Sequence, residues 1–437
     1  MKRRRPQRAA PKPAKSALVQ IEKPIYGGAF LARVDGKAMF VPLTLPEEQA
    51  RIRIVEEKRS YASAEPEAII QSSPDRIQPR CPHFGVCGGC SYQHANYEIQ
   101  LALKRQILRE TFQRAGVPAP EHIDVLAGHP WAYRNRIRLA FDAAGRVGYR
   151  GRRSHDITPI KECPIASPLL VRAALSASAI IAEHRPALRP VELSLFANPD
   201  ETALLATIYV REATAKDFEN FAAQWKEQIP ELTGIECVYQ SPQEHNEKQL
   251  VRWGQDSILY STAGFNYRVD HGAFFQVNRW LIDALVGRVI AGHRGNLAWD
   301  LYAGVGLFAR QLTSRFEKVI AVESAPGSTQ ALAHNLEGTT ARVLAADTLS
   351  FLKSQTTAQI PSLIVADPPR AGLGPEATAA LAAIGAPSLV YVSCDPSTLA
   401  RDLKELLASG YSIASVTLTD LFPQTFHLET VVTLQKS

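Results

Sequence analysis

The sequence lacks any apolar run long enough to cross a membrane, and it is poor in cysteine. No run approaches the roughly 20 residues that a membrane-spanning helix needs. The basic N-terminus lacks the apolar stretch of a secretory signal. Internal repeats are absent, and six cysteines in 437 residues do not indicate a disulfide framework. We therefore expect a cytoplasmic protein whose clustered cysteines bind metal or take part in chemistry.

Size and charge limit the class of protein only loosely. Hydrophobic residues make up 46% of the chain, which is enough for two or three separate cores. The net charge of +6 is concentrated in residues 1–15, which hold seven basic residues and no acidic one. We expect this tail to be disordered. It either tethers RNA loosely or has no specific role, and bulk charge does not decide between the two.

Residues 16–75 alternate in polarity and are interrupted by turn signals. The turns separate five segments that each have the pattern of a short strand. The predicted strands are Leu18 to Glu22, Ala29 to Val34, Ala38 to Val41, Arg51 to Glu57 and Ala62 to Ile70. So many short strands in one segment predict a small closed, OB-like β-barrel of a kind that often binds oligonucleotides.

The rest of the chain predicts two further regions. Residues 76–265 begin with a cysteine-rich knuckle and a helix, then alternate hairpin and helix patterns, which predicts an α+β domain. The helix, at about 94–116, can also pack against the last domain. In residues 266–437 strands and helices alternate after a helix expected at 276–291. This rhythm predicts a Rossmann-like α/β domain with a mainly parallel sheet.

A glycine-rich turn follows the first strand expected in the α/β domain, Asn296 to Leu301. Gly304 and Gly306 would let the backbone approach a ligand closely at the start of a helix. Glu323 ends the next strand, where its carboxylate can accept hydrogen bonds from ribose hydroxyls. The same glycines do not separate a nicotinamide cofactor from S-adenosylmethionine. Asp347 ends a further strand and would suit an adenine edge or cap a helix.

Two other strand ends carry reactive groups. Asp367 follows an apolar strand and is fixed by the two prolines after it. Cys394 lies between a buried strand, Ser388 to Val392, and a helix, Ser397 to Leu407. Its thiol is therefore expected in the crevice where open α/β sheets bind ligands. We expect the helix N-terminus to favour the thiolate.

The other cysteines are mostly clustered. Cys81, Cys87 and Cys90 are spaced C-x5-C-x2-C, and Cys163 follows in a separate segment. Four thiolates suit zinc or an iron–sulfur cluster, and spacing alone does not separate them. Cys237 alternates with apolar residues like part of a buried strand, so we expect it to pack in a core.

An arginine-rich segment is the best candidate for an RNA surface. Arg134, Arg136 and Arg138 alternate with apolar residues, which on a strand places three guanidinium groups on one face. More arginines follow the next turn. Such a face can bind phosphates while Tyr133 or Tyr149 stacks on bases. A solvated edge strand is the alternative.

The order and spacing of these motifs resemble those of the iron–sulfur-containing RNA 5-methyluridine (uracil-C5) methyltransferases. The matching segments are Cys81 to Cys90 with Cys163, Phe274 to Asn278, Asp300 to Gly306, Asp367 to Arg370, Ser393 to Pro396 and Phe422 to Val431. The barrel looks like the family's TRAM RNA-binding domain, which favours the 23S ribosomal RNA branch. Ala303 and Leu307 depart from residues that many relatives carry.

The resemblance implies S-adenosylmethionine as methyl donor, a structural four-iron, four-sulfur cluster on the four clustered cysteines, and a monomer that acts on RNA. By position, Cys394 matches the family's nucleophile and Glu429 its general base. The positions that match contacts to the donor or target base are Gln276, Tyr302, Glu323, Asp347 and Asp367.

The chemistry explains why these groups are needed. C5 of uracil is a poor nucleophile, and addition of the Cys394 thiolate to C6 activates it. A base must later remove the C5 proton, and a desolvated Glu429 with a raised pKa suits this step. The target uridine must leave its stack. Phe274 then either stacks on the extruded base or packs in the core.

Other functions remain open on the sequence. A tRNA uracil-C5 or RNA cytosine-C5 methyltransferase would use the same thiolate addition. A non-catalytic RNA-binding protein would have a degenerate transferase domain, against which Cys394, Glu429 and Asp367 argue. A radical methylthiotransferase can also combine a barrel with an iron–sulfur cluster, but its cysteine spacing differs and its reaction does not call for Cys394.

Overall fold

The structure is a computed structural model that describes residues 15–184, 188–241, 247–355 and 359–436. Nearly all of the basic tail, residues 1–14, lies outside the described residues, and its expected disorder stays a prediction. Within the described ranges, no helix has the length and apolar character that crossing a membrane requires.

The N-terminal region is a closed five-stranded barrel, which confirms the predicted strands. Its strands are β1 Ser16–Pro24, β2 Ala29–Val34, β3 Lys37–Pro42, β4 Gln49–Glu57 and β5 Tyr61–Gln71, in the order β1-β2-β3-β5-β4. Alternate residues such as Val19, Ile21 and Phe30 point inward and are fully or almost fully buried. The period of two therefore sets the barrel core.

A long helix joins the barrel to the rest of the molecule. Helix α1, Tyr97–Ala115, begins after Asn96, whose Oδ1 accepts from Ile99 N at 2.9 Å, and ends at Gly116 in the left-handed conformation. Leu103 of α1 packs into the barrel core. The opposite side of the helix packs on the C-terminal domain, with Ile107, Leu108 and Phe112 buried in its core.

The central region is built on a seven-stranded sheet covered by two helices. Its elements are β7 Arg136–Phe141, β8 Val147–Arg150, β9 Ile157–Pro159, α2 Pro168–His184, β10 Pro190–Ala197, β11 Leu204–Val210, α3 Ala215–Gln228, β12 Leu232–Gln240 and β13 Glu247–Gly254. The strand order is β13-β12-β11-β10-β7-β8-β9. Cys237 on β12 is fully buried in this core, as predicted.

The C-terminal region is an eight-stranded sheet with strand order β18-β17-β16-β19-β20-β22-β21-β6. Its strands are β6 Asp124–Leu126, β16 Gly295–Leu301, β17 Phe316–Glu323, β18 Ala341–Ala345, β19 Leu363–Ala366, β20 Ser388–Ser393, β21 Tyr411–Thr419 and β22 Glu429–Lys436. Its helices are α4 Ile282–Ile290, α5 Leu307–Leu312, α6 Pro326–Asn335, α7 Thr348–Ser354, α8 Gly374–Ile384 and α9 Pro396–Ala408. A separate hairpin, β14 Ser257–Thr262 and β15 Phe265–Asp270, packs beside it.

The sheet is mainly parallel, as the alternation of strands and helices predicts. Only β22 runs antiparallel to its neighbours β20 and β21. Strand β6 precedes the central sheet in the chain but pairs with β21 at the edge of the C-terminal sheet.

The helix expected at 276–291 begins later than predicted. Residues 276–280 have tertiary hydrogen bonds instead: Val277 O accepts from Asn135 N at 3.0 Å, and the Asn278 side chain donates to Leu421 O at 3.1 Å. Asn278 Oδ1 also accepts from Trp280 N at 3.1 Å. These bonds hold the segment outside a helix, so α4 starts only at Ile282.

Candidate active site

The glycine-rich turn after β16 has the backbone geometry of a ligand cradle. Tyr302, Gly304 and Gly306 all have positive φ angles, of 62°, 57° and 93°. A Cβ at Gly306 would lie 2.8 Å from Leu332 Cδ1, so only glycine fits there. Beside Gly304 the space is open, with no atom within 4 Å of an added Cβ. The turn therefore leaves room for a ligand at the start of α5.

Two acidic residues flank this turn at the next strand ends. Glu323 ends β17, and its Oε2 accepts from Gly304 N at 2.8 Å. That oxygen keeps a lone pair for a further donor. Asp347 caps α7, with Oδ1 accepting from Ser350 N at 3.0 Å. The helix-cap interpretation of Asp347 is therefore correct, and its contact with an adenine stays a prediction.

Two buried carboxyl groups lie deeper in the crevice. Asp300 Oδ2 accepts from Ala309 N at 2.7 Å, whereas its buried Oδ1 has no hydrogen-bond partner. Burial, together with the nearby Asp367 and Glu323, raises the pKa of Asp300 to about 8. Burial likewise raises the pKa of Asp367 to about 7. A cationic ligand in the crevice would offset this accumulation of carboxyl groups.

Strand pairing places Cys394 and Glu429 next to each other. Cys394 follows β20 directly, and Glu429 is the first residue of β22. The two strands are antiparallel, with Ser393 opposite Thr430. One step further in this register brings Cys394 opposite Glu429. The predicted nucleophile and base thus meet at one point of the sheet, although they come from different elements.

The neighbours of Cys394 shift the pKa of its thiol in opposite directions. Burial, together with Glu429 and Asp367, raises the pKa of Cys394 to about 11, and Arg370 opposes this rise. At the start of α9, Asp395 Oδ1 accepts from Ser397 N at 2.9 Å and Thr398 N at 3.1 Å, so these two N–H groups do not bond the thiol. That the helix N-terminus favours the thiolate stays a prediction.

Glu429 has the raised pKa that a general base requires. Its side chain is almost fully buried. Burial raises the pKa well above its ordinary value, Asp367 raises it further, and Arg370 opposes both. The direction agrees with the prediction from the sequence.

Two residues of this site were not singled out in the sequence. Arg370 faces Cys394 and Glu429 and lowers the pKa of both. Its guanidinium also contacts His427 Nδ1 at 3.2 Å. Tyr26, from the barrel, donates a hydrogen bond to Cys394 O at 3.4 Å. Arg370 could have been found because it completes the motif of Asp367, whereas Tyr26 carries no local signal.

The segment before α4 carries two further candidate site residues, of which Phe274 lies at the surface and Gln276 lies mostly inside. Gln276 is mostly buried, and its backbone O accepts from Asn135 Nδ2 at 2.9 Å. Phe274 is 59% exposed, so the core interpretation of this aromatic is wrong. Its ring is free to contact a base, whereas the role of Gln276 stays a prediction.

The four clustered cysteines line one cavity of about 260 Å³, together with Arg134, Tyr149 and His427. Burial raises the pKa of Cys87 to about 11 and of Cys90 to about 12, and neighbouring thiols add to both shifts. Among the described residues, no three His, Cys, Asp or Glu side chains converge tightly enough for a single metal ion. Four thiols around one cavity suit either zinc or an iron–sulfur cluster, and the identity of the bound group stays a prediction.

The arginine face predicted around β7 is largely engaged within the protein. Arg134 lines the cysteine cavity, and the Arg136 guanidinium lies 4.4 Å from the Phe196 ring centroid. Arg138 pairs with Glu192 at 2.6 Å. Tyr133 is fully buried and donates to Pro423 O at 3.0 Å. Stacking of Tyr133 on bases is therefore wrong, and Arg134 and Arg136 are engaged within the protein, whereas Arg138 is about half exposed and its binding of phosphate stays a prediction.

Two tryptophans lie nearby: the partly exposed Trp131, at the start of the arginine-rich segment, and the exposed Trp280, which the sequence reasoning missed. Trp280 is 47% exposed, and its Nε1 donates to Trp131 O at 3.2 Å. The guanidinium of Arg279 lies 4.3 Å from the Trp280 ring, and that of Arg80 lies 5.2 Å from the Trp131 ring. Aromatic rings beside cations suit single-stranded nucleic acid.

The fold and crevice define a class of protein: a Rossmann-like methyltransferase that carries an additional barrel and central domain. A solved structure with the same fold is the Pyrococcus abyssi tRNA (uracil-54, C5)-methyltransferase in complex with S-adenosyl-L-homocysteine. It matches with a TM-score of 0.78 and 24% identity, covering 96% of this chain and 100% of that chain.

Sequence comparison identifies the family. A family model described as tRNA (Uracil-5-)-methyltransferase matches residues 352–437. The chain is 33% identical to the 23S rRNA (uracil(1939)-C(5))-methyltransferase RlmD of Alkalilimnicola ehrlichii, covering 94% of each chain. It is 32% identical to the enzyme of the same name from Klebsiella pneumoniae, covering 94% of this chain and 93% of that one. The chain therefore belongs to the family of S-adenosylmethionine-dependent RNA uracil-C5 methyltransferases.

Proposed function

We propose that this enzyme methylates C5 of a uridine in 23S ribosomal RNA, with Cys394 as nucleophile and Glu429 as general base. The observation that carries the proposal is the register of β20 and β22, which sets Cys394 beside Glu429. The names of the relatives from Alkalilimnicola and Klebsiella support the ribosomal substrate.

The residues around the glycine turn fit the methyl donor. Gly304 leaves open space, and the buried Oδ1 of Asp300 lacks a partner. The carboxyl groups of Glu323, Asp347 and Asp367 surround the same crevice edge and suit a cationic ligand. When bound, the donor supplies the methyl group.

The protein's own groups move electrons and protons in a defined order. Cys394 Sγ bonds to C6 of uracil, and the ring electrons shift so that C5 becomes nucleophilic. After C5 gains the methyl group, Glu429 removes the C5 proton. The C5–C6 double bond reforms, and the sulfur leaves C6. Arg370 faces both side chains, where its charge favours the thiolate and the carboxylate.

The RNA surface that we propose differs from the arginine face. Phe274, Trp131 and Trp280 present exposed or partly exposed rings, two of them with arginines alongside. Stacking on such rings would hold the extruded uridine or its neighbours. The barrel would act as a TRAM domain and add contacts to the RNA backbone.

We also propose that Cys81, Cys87, Cys90 and Cys163 hold a four-iron, four-sulfur cluster. The support is that all four cysteines line one cavity of about 260 Å³, as four thiolate ligands of one cluster would. Its role would be structural, because the cavity connects the knuckle at 81–90 to the segment that carries Cys163. Iron and sulfide analysis of protein purified without oxygen tests this.

The experiment that tests the function compares nucleosides from cells with and without this gene. Mass spectrometry of 23S rRNA and tRNA fragments should show loss of 5-methyluridine from 23S rRNA alone. Restoring the gene should return the modification, and the variant Cys394→Ala should not. The variant Cys237→Ala is the control, because it removes a thiol from the central core. Loss of 5-methyluridine from tRNA instead would contradict the ribosomal substrate.

A further inference from the structure

The loop between β1 and β2 of the barrel reaches the turn that carries the nucleophile. Tyr26, at the tip of this loop, packs partly buried against the core of the C-terminal domain. Its hydroxyl donates to Cys394 O at 3.4 Å and lies within hydrogen-bonding reach of the Asp395 carboxylate. A residue near the start of the chain thus contacts the nucleophile's own backbone.

The loop approaches closely because of its composition. Gly28 has a φ of +85°, and a Cβ there would lie 3.0 Å from Phe426 Cδ1 and 3.1 Å from Ser91 Oγ. The ring of Tyr26 meets Phe426 edge-on, with centroids 5.7 Å apart. A larger residue at position 28 would push the loop, and Tyr26 with it, away from the active site.

The barrel itself is fastened so that the loop stays in place. Lys23, just before the loop, pairs with Glu110 of α1 at 2.7 Å. The backbone N–H groups of Ser91 and Tyr92 both donate to Gln424 O, at 2.9 and 3.0 Å. Tyr92 also belongs to the barrel core. The barrel is therefore docked on the segment that leads to Glu429.

We propose that Tyr26 is a positioning residue for Cys394, so that the docked barrel sets the rate of thiolate addition as well as contacting RNA. This inference rests on the proposed role of Cys394. It gives the barrel a second task, which is to complete the wall of the active site beside the nucleophile.

The physical argument concerns the short turn between β20 and α9. Its far side is fixed by Asp395, which caps α9, and by Thr398, whose Oγ1 donates to Arg370 O at 3.1 Å. Ser393 Oγ donates to Asp395 O at 3.1 Å. The carbonyl of Cys394 has Tyr26 as its side-chain donor. Fixing this carbonyl fixes the plane of the Cys394–Asp395 peptide, and so restrains the backbone from which the thiol projects.

The test changes only the hydroxyl. In the full-length enzyme, Tyr26→Phe keeps the ring on Phe426 and removes the donor. Tyr61→Phe is the matched control, because Tyr61 lies on β5 of the same barrel and packs on Phe40 with ring centroids 5.3 Å apart. Both variants are assayed for kcat and KM on 23S rRNA from cells lacking the gene, and for the rate of adduct formation with RNA containing 5-fluorouridine.

The expected result is a loss in rate without a loss in binding. A hydrogen bond of this length is weak, so Tyr26→Phe should lower kcat and the adduct rate about fivefold. KM for RNA should stay unchanged, and Tyr61→Phe should resemble the wild-type enzyme in every readout. Both variants should melt at the wild-type temperature, since neither loses packing.

Two outcomes overturn the inference. A Tyr26→Phe enzyme with wild-type kcat would leave the hydroxyl without a role, and a raised KM at unchanged kcat would make the loop only an RNA contact. These results differ from a failure of the proposed function. In that case the wild-type protein itself would form no 5-methyluridine and no adduct, and the inference would fall with it.

Discussion

Two groups of partly buried thiols in this molecule differ in how many other thiols surround them. Cys394 faces the carboxyl groups of Glu429 and Asp367 and the guanidinium of Arg370. The four clustered cysteines instead face one another: Cys87 and Cys90 each lie near Cys163. Burial raises the thiol pKa in both places, so burial alone does not distinguish them.

The two kinds of thiol differ in the chemistry that their neighbouring groups permit. Beside Cys394, a carboxylate can take a proton and an arginine can stabilise the thiolate, so that sulfur is equipped for covalent chemistry. Glu162 and Arg134 also lie beside the clustered thiols, but there four thiols line one cavity and gain most from sharing a cationic group. His427 lines the cysteine cavity and also contacts Arg370. The two environments are therefore adjacent but chemically separate.

Removing the nucleophile should have the largest effect and tests the difference between the two kinds of thiol most strongly. Cys394→Ala should lower methylation by about 10⁴-fold or more, because covalent activation of C5 is lost. Binding of the donor, measured by calorimetry, and the melting temperature should remain close to wild type. Activity of Cys394→Ala near the wild-type level would remove the distinction between the two kinds of thiol.

Replacing the general base, Glu429, should stop the reaction at a later step than replacing Cys394 does. Glu429→Gln should lower turnover by about 10²–10⁴-fold, yet the thiol should still add and the methyl group should still transfer. The methylated adduct should therefore accumulate on ordinary RNA and survive denaturing electrophoresis. If Glu429→Gln neither turned over nor formed an adduct, the carboxylate would be acting before the methyl transfer and not after it.

Removing the arginine should shift the pH dependence. Arg370 lowers the pKa of Cys394 and of Glu429. In Arg370→Gln both pKa values rise, so the ascending limb of the rate of adduct formation should move to higher pH by about one unit. At neutral pH this corresponds to about a tenfold loss. A limb that stays in place, or moves to lower pH, would contradict the electrostatic account.

The smallest effect on chemistry should come from the cysteine cavity. If the proposed cluster is bound there, Cys163→Ser should release iron and lower the unfolding free energy by roughly 2 kcal/mol or more. The protein that stays folded should form the adduct at a rate within about tenfold of wild type, because none of the reacting atoms is lost. Loss of adduct formation from fully folded Cys163→Ser would mean that the cavity takes part in the reaction.

Sequence reasoning succeeded where the signal is local. The barrel strands follow a period of two between glycine turns. In the α/β domain, Gly304, Glu323 and Cys394 each follow or end a predicted strand, which places them at one edge of the sheet. Phe274 and the arginines show where it failed. Whether a polar side chain meets water depends on its tertiary partners: the Phe196 ring packs against the Arg136 guanidinium, and Glu192 pairs with the half-exposed Arg138.

Contacts between residues that are far apart in the chain cannot be predicted from any local sequence pattern. Tyr26 and Cys394 are 368 residues apart, and nothing around Tyr26 distinguishes it from any turn tyrosine. The late start of α4 has the same origin, because Asn278 bonds Leu421 from a different element.

The most direct test of the account is to find which sulfur carries the RNA base. The enzyme is incubated with S-adenosylmethionine and RNA containing 5-fluorouridine, digested with nuclease and trypsin, and analysed by tandem mass spectrometry. We expect a methylated fluoropyrimidine attached to the peptide that contains Cys394, and no modified peptide from the four clustered cysteines. A base found on Cys81, Cys87, Cys90 or Cys163, or a stable adduct formed by Cys394→Ala, would contradict the account.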